Sequence, residues 1–153
     1  MAMNYFFDTS TLIKLYHQEI GFEKTRSLYN EPTAEIYISQ LAYTEVYSAF
    51  YVKLRNKEIK DEKIILEAIH DFEIDMQYIS VIAVDELIIN KSKSLIIKFG
   101  MKHALRTLDA LHLASVDVIA GMEEITFVTA DVRQADTAND MGLKTINVIT
   151  FSY

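Results

Sequence analysis

Short apolar runs of strand length alternate along this chain with longer segments in which apolar residues recur at helical spacing. The runs predict five β-strands, at 4–7, 35–38, 78–84, 125–129 and 144–149. The segments between them predict α-helices at 11–18, about 22–30, 41–55, 61–75, 85–99, 105–120 and 132–141. Strands that alternate with helices indicate βαβ crossovers. The pattern therefore predicts an α/β fold with a largely parallel sheet and helices on both faces.

The chain is most simply a single domain covering residues 1–153. It has only one proline and four glycines, and no repeat or Pro/Gly-rich linker divides it. Gly142 is suited to end the last helix before the final strand. The stretch RNKEIKDEK at 55–63 is the predicted exposed connection.

Composition narrows the classes of function. The absence of cysteine excludes disulfides, thiolate metal sites and a cysteine nucleophile, and it fits a reducing compartment. No apolar run reaches the ~18–20 residues of a membrane span and no signal core is visible, so we expect a cytoplasmic protein. The formal charge of −7 argues against a protein that coats nucleic acid nonspecifically. An enzyme acting on nucleic acid would need a local basic patch.

Four acidic residues stand out by position. Asp8 ends the first predicted strand and Asp131 follows the fourth, so both are expected at the same edge of a parallel sheet. Glu45 and Asp109 lie within apolar helices, where acids are rare unless paired or bound to a metal. If the four converge, their repulsion favours a hard divalent cation such as Mg²⁺ or Mn²⁺.

Each acid also has a structural alternative. Asp8 and Asp131 could cap the helices that follow them, because an aspartate at that position accepts hydrogen bonds from free backbone N–H groups. Glu45 and Asp109 could each pair with a basic neighbour. The functional interpretation depends on the four acids occurring together.

The motifs DTSTLIKL, SQLAYTEV, LRTLDALHLA and FVTADVRQADTANDMGLKTINV, in this order, resemble the PIN domain. More narrowly, the chain is similar to the VapC-type toxins of bacterial and archaeal toxin–antitoxin pairs. This resemblance implies a three-layer α/β/α fold with a central five-stranded, largely parallel sheet. It further implies an Mg²⁺- or Mn²⁺-dependent ribonuclease that forms a homodimer and is bound by a cognate antitoxin protein. The implied metal-binding and catalytic residues are Asp8, Glu45, Asp109 and Asp131, with Ser10, Thr129 and Asp136 in supporting positions.

Three further groups of residues have two interpretations each. Lys98, Lys102 and Arg106 belong to a basic segment before Asp109 that either binds RNA phosphates or forms a solvated helix face. His112 is interpreted as lying beside the metal ligands or in the core, in preference to binding the metal. The remaining group is a tyrosine stripe on the third predicted helix, interpreted as a packing or dimer surface in preference to a platform for base stacking: Tyr43, Tyr47 and Tyr51.

Other classes of protein fit less well. A phosphoaspartate phosphatase needs a second acid two residues after the first, where this chain has Ser10. The glycine-rich loops of nucleotide-binding domains are absent from the sequence. The remaining rival is a PIN-fold module that binds RNA or protein without cutting. Because all four acids are present, the sequence favours catalysis.

Overall fold

A five-stranded, all-parallel sheet forms the centre of the protein, for which a computed structural model describes residues 2–150. The strands lie in the order β3-β2-β1-β4-β5. Their bounds are β1 Met3–Phe7, β2 Ala34–Ser39, β3 Ser80–Ile82, β4 Thr126–Thr129 and β5 Lys144–Asn147. The predicted number and direction of the strands are therefore confirmed.

Helices cover both faces of the sheet, as predicted. Their bounds are α1 Thr9–Leu12, α2 Phe22–Tyr29, α3 Ala42–Arg55, α4 Glu62–Asp75, α5 Glu86–His103, α6 Thr107–Ala120 and α7 Val132–Asp140. Successive strand residues point to opposite faces. Phe7 accordingly joins a core with Phe50 of α3 and Phe72 of α4. Phe6 joins a second core with residues of α5, α6 and α7. The result is the expected α/β/α sandwich. Within residues 2–150, no helix is both long and apolar enough to cross a membrane.

Some predicted boundaries are wrong. The helix predicted at 11–18 begins at Thr9, narrows to a 3₁₀ turn at Ile13–Leu15 and stops there. Beyond this turn the Glu19 carboxylate lies between two lysines, 3.0 Å from Lys14 Nζ and 2.7 Å from Lys53 Nζ. These ion pairs accompany the early end of the helix and are not visible in the local helical pattern.

Other elements differ only in length. The third strand covers Ser80–Ile82 of the predicted 78–84, and α5 runs on to His103, past the predicted end at 99. The sheet edge is short at β3, where α5 begins soon after and is capped by the side chain of Asp85.

Gly142 ends α7 as the sequence predicts. Its φ of 79° lies in the left-handed region that favours glycine. The Gly142 N–H donates to the Asn139 carbonyl and the Leu143 N–H to the Ala138 carbonyl, each over 3.0 Å. These two bonds form a Schellman motif, which directs the chain into β5.

Ala104 ends α5 in the same left-handed region, with φ 51° and ψ 39°. A Cβ atom is disfavoured there, and the residue is exposed, so Ala104→Gly should raise the free energy of unfolding by about 1 kcal/mol. Urea denaturation would measure the change. The matched control is Ser94→Gly within the same helix, which should lower stability by about 0.5 kcal/mol. A destabilised Ala104→Gly variant would contradict the prediction.

Candidate active site

The carboxyl ends of β1 and β4 mark the point where the chain connections diverge. These two strands are neighbours at the centre of the sheet. The chain leaves β1 into α1 on one face, whereas it leaves β4 into α7, whose residue Ala138 belongs to the opposite core. Parallel α/β sheets bind ligands at such a switch point. Asp8 follows β1 here, and Asp131 lies two residues after the end of β4.

A cavity of about 370 Å³ opens at this point. It is lined by side chains of α1, α3, α6 and α7 and by the residue before α7. Three of the four predicted acids, Glu45, Asp109 and Asp131, belong to its wall. Asp8 lies directly behind Ser10 and Gln134, two further wall residues to which it is hydrogen-bonded. The fold therefore gathers the four acids around one cavity.

Asp8 is buried, with 1% of its surface exposed. Oδ1 accepts hydrogen bonds from Ser10 Oγ at 2.7 Å and from the Thr11 N–H at 2.9 Å. Oδ2 accepts from Thr129 Oγ1 at 2.5 Å and from Gln134 Nε2 at 3.1 Å. Burial raises the pKa of the Asp8 carboxyl, although the hydrogen bonds from Thr129, Ser10 and the Thr11 N–H and the nearby His112 ring favour the ionised form. The Thr11 bond also caps α1, so Asp8 is both a helix cap and a member of the acidic cluster.

The hydroxyl groups of Ser10 and Thr129 join the ends of the two central strands. Ser10 Oγ, besides donating to Asp8, accepts from the Ala130 N–H at 3.0 Å. Thr129 Oγ1 likewise accepts from the Asp131 N–H at 3.0 Å. Both hydroxyls therefore support the first acid, Asp8, and Thr129 contacts the fourth acid only through the backbone N–H of Asp131.

The two oxygens of the Asp131 carboxylate have different surroundings. Oδ1 accepts from the N–H groups of Arg133 at 2.8 Å and Gln134 at 3.3 Å, which caps α7. Oδ2 lies 3.8 Å from the Arg133 guanidinium. The capping interpretation is thus correct, and it leaves one carboxylate oxygen free of the helix.

Glu45 is fixed by two neighbours on other helices. Its Oε1 accepts from Thr9 Oγ1 at 3.0 Å and lies 2.5 Å from His112 Nε2. A carboxylate can only accept, so the His112 Nε2 carries a hydrogen and donates it. The other ring nitrogen, Nδ1, is buried without a hydrogen-bond partner. His112 therefore lies beside the acids and orients Glu45, as the sequence interpretation expected.

Asp109 lies in the first turn of α6 and is the acid least committed to protein contacts. Its Oδ2 is 3.6 Å from Arg106 Nε, a separation too long for a hydrogen bond. Its side chain is nevertheless only 13% exposed. Asp109 thus presents a largely desolvated carboxylate to the cavity.

Three predicted residues lie away from the cavity. Asp136 lines a separate groove of about 1060 Å³ between α7, β5 and the segment 18–24. Lys98 lies over the Phe99 ring, at 5.2 Å. Lys102 Nζ is 2.5 Å from Asp140 Oδ2. Asp140 ends α7, about 13 Å along the helix from the cap at Asp131. Of the predicted RNA-binding residues, Arg106 alone lies beside an acid of the cluster.

Sequence reasoning missed Gln134 as a site residue. It is buried, its Nε2 donates to Asp8, and its Oε1 has no hydrogen-bond partner among residues 2–150. A usable signal was present, since Gln134 shares the buried face of α7 with Thr137 and Ala138 at i+3 and i+4. A long polar side chain on a buried face indicates a specific partner.

The donor atoms around the cavity fit a hard divalent cation. Four carboxylates and the unpaired Oε1 of Gln134 offer oxygen, the ligand that Mg²⁺ and Mn²⁺ prefer. As placed, no three acidic or histidine side chains among residues 2–150 are close enough together to hold an ion.

Comparison with known proteins agrees with this architecture. The model of the PIN domain family matches residues 5–140. The protein therefore belongs to the PIN domain family. No curated protein sequence matches the chain.

Solved structures share the fold at low sequence identity. VapBC-1 from nontypeable Haemophilus influenzae aligns with a TM-score of 0.63 and 15% identity, over 97% of this chain and 100% of the other. The Mycobacterium tuberculosis toxin VapC20, described as cleaving the sarcin–ricin loop, aligns with a TM-score of 0.65 and 14% identity, over 94% and 98%. A Klebsiella pneumoniae toxin–antitoxin complex aligns with 0.62 and 18%, over 94% and 97%.

Proposed function

We propose that this protein is a metal-dependent endoribonuclease and the toxin of a VapBC-type toxin–antitoxin pair. The observation that carries the proposal is the convergence of four acids on one cavity, with the buried Asp8 carboxylate fixed at its base. Folding alone does not favour a carboxylate at a buried position. Its presence there supports a chemical role.

In this proposal Asp8, Glu45, Asp109 and Asp131 hold Mg²⁺ or Mn²⁺. The bound cation would supply Lewis acidity, activating water and neutralising charge on the phosphate. Ser10, Thr129 and Gln134 hold the Asp8 oxygens in a fixed orientation, and Thr9 and His112 do the same for Glu45. Because these side chains are already held in place, little rearrangement is needed as negative charge develops on the phosphate.

The structural relatives support the choice of substrate and partner. Those described above are VapBC-1, a toxin–antitoxin complex and a toxin described as cleaving the sarcin–ricin loop. We therefore propose RNA as the substrate, the cytoplasm as the location, an antitoxin protein as the cognate partner, and a homodimer as the assembly.

The test is cleavage of total RNA by the purified protein. Discrete fragments are expected with Mg²⁺ or Mn²⁺, none with EDTA, and the same fragments again when the metal is restored. A mock preparation from the same host without the gene should give no fragments. Cutting that persists in EDTA, or intact RNA despite folded protein and added metal, would contradict the nuclease proposal.

A further inference from the structure

Two arginines flank the acidic cavity from different helices. Arg106 immediately precedes α6, and its Nε lies 3.6 Å from Asp109 Oδ2. Arg133 lies in the first turn of α7, and a guanidinium nitrogen lies 3.8 Å from Asp131 Oδ2. Each arginine therefore neutralises one acid of the cluster from within the same chain.

Both ion pairs are loose. Their separations exceed hydrogen-bond length, and the arginine side chains are 68% and 44% exposed. Exposed pairs of this kind contribute little to stability, so either guanidinium can exchange its partner at small cost. The carboxylates that they face are the ones that a metal ion would engage.

Several other cations of the chain are committed elsewhere. Lys14 and Lys53 are held by Glu19. Lys91 lies 2.7 Å from Asp117, and Lys102 lies 2.5 Å from Asp140. The chain has a net charge of −7, and the two arginines place positive charge beside the cavity.

The backbone also contributes positive potential at the cavity. Helices α6 and α7 both begin at the cavity, and the positive end of a helix dipole favours an anion. Arg106, at the cap position of α6, makes no side-chain capping bond, so its guanidinium is not tied to the helix. A planar guanidinium can donate two parallel hydrogen bonds to one phosphate.

We propose that Arg106 and Arg133 bind RNA phosphates on either side of the cavity. When the RNA strand binds, each guanidinium leaves its aspartate, Asp109 or Asp131, and contacts a phosphate. The inference deepens the proposed ribonuclease function and rests on it for the choice of RNA. Both arginines act as positioning residues, because they hold the strand and leave the reacting phosphate to the acidic cluster.

The test measures RNA binding without cleavage. A fluorescein-labelled, 12-nucleotide single-stranded RNA of mixed sequence is titrated with protein in EDTA, and anisotropy is followed at several salt concentrations. Arg106→Gln and Arg133→Gln should each weaken binding about threefold, and the double variant about tenfold. Each lost phosphate contact should reduce the slope of log K against log salt by about 0.7. The lysine substitutions at both positions should keep the slope.

The matched control is Arg55→Gln. Arg55 is exposed at the end of α3, about 15 Å along that helix from Glu45, and should leave affinity and slope unchanged. In Mg²⁺, the double glutamine variant should raise KM for RNA and leave kcat within about twofold. A double variant that binds with the wild-type affinity and slope overturns the inference.

The two proposals fail separately. Metal-dependent cleavage that the double variant performs with wild-type KM would overturn the arginine inference while the nuclease stands. Arginine-dependent RNA binding by a protein that never cuts would overturn the nuclease while the arginine inference stands.

Discussion

Asp8→Asn is expected to reduce RNA cleavage about 1000-fold while making the folded protein more stable. Activity should fall because the variant lacks one of the four carboxylates proposed to hold the metal ion, and water cannot supply a negative charge in its place. Stability should rise because burial disfavours a charge at this position, which four hydrogen bonds and no ion pair among residues 2–150 support. The expected gain in the free energy of unfolding, with EDTA present, is about 1–3 kcal/mol.

The surroundings of Asp8 can accept the new amide. Asn Oδ1 can keep the bonds from Ser10 and the Thr11 N–H. The Asn NH₂ group then faces Thr129 and Gln134, which must become acceptors. The Thr129 hydroxyl can rotate, and rotation of the Gln134 amide would present its Oε1, which lacks a hydrogen-bond partner. The substitution should therefore leave the fold intact.

Urea unfolding and RNA cleavage together check this prediction. Mg²⁺ should raise the unfolding midpoint of the wild-type protein and leave that of Asp8→Asn unchanged, because a ligand stabilises only the state that binds it. Asp61→Asn is the matched control, since Asp61 caps α4 and asparagine caps a helix equally well. Near-normal cleavage by Asp8→Asn would show that the buried charge is not needed for activity.

Asp109→Asn is expected to have the second-largest effect, a loss of cleavage of at least 100-fold with little change in stability. The Asp109 carboxylate faces the cavity, and its nearest cation, the Arg106 Nε, is 3.6 Å away. Removing the charge should therefore break few interactions that stabilise the fold. Its amide replacement keeps the size of the side chain and loses the charge that would attract a cation.

The control for this variant lies on the same helix. Asp117 is eight residues further along α6, about 12 Å away, and pairs with Lys91 at 2.7 Å. Asp117→Asn should leave cleavage unchanged and lower stability by at most about 1 kcal/mol. Equal losses of activity in the two variants would point to a general effect of charge and would argue against a specific role for Asp109.

The sequence predicted the sheet because its strongest signals are local. The adjacent Phe6 and Phe7 indicate a strand buried on both faces, and the structure places one in each core. The convergence of Asp8 and Asp131 followed from topology, since neighbouring parallel strands end at one edge. For both residues the capping and the site interpretations are compatible, because the two oxygens of a carboxylate can serve different partners.

Features that depend on distant contacts were not predictable. The early end of the first helix is accompanied by an ion pair between Glu19 and Lys53, which lies 34 residues later. Lys102 lies close to Asp109 in sequence, yet α5 carries it to Asp140. Gln134 gave a weak signal because its partner, Asp8, is 126 residues away. Such pairings are set by packing and cannot be obtained from periodicity.

The dual use of Asp131 has an evolutionary consequence. Helix α7 needs only an oxygen acceptor at this position, which serine, threonine and asparagine also provide. If a duplicated copy of this protein no longer needed the proposed catalytic activity, substitutions at Asp131 should accumulate without loss of the fold. At Asp8 the same relaxation would favour uncharged replacements, because burial penalises the carboxylate. Inactive descendants of this protein should be recognisable by neutral residues at these two positions on an otherwise preserved sheet.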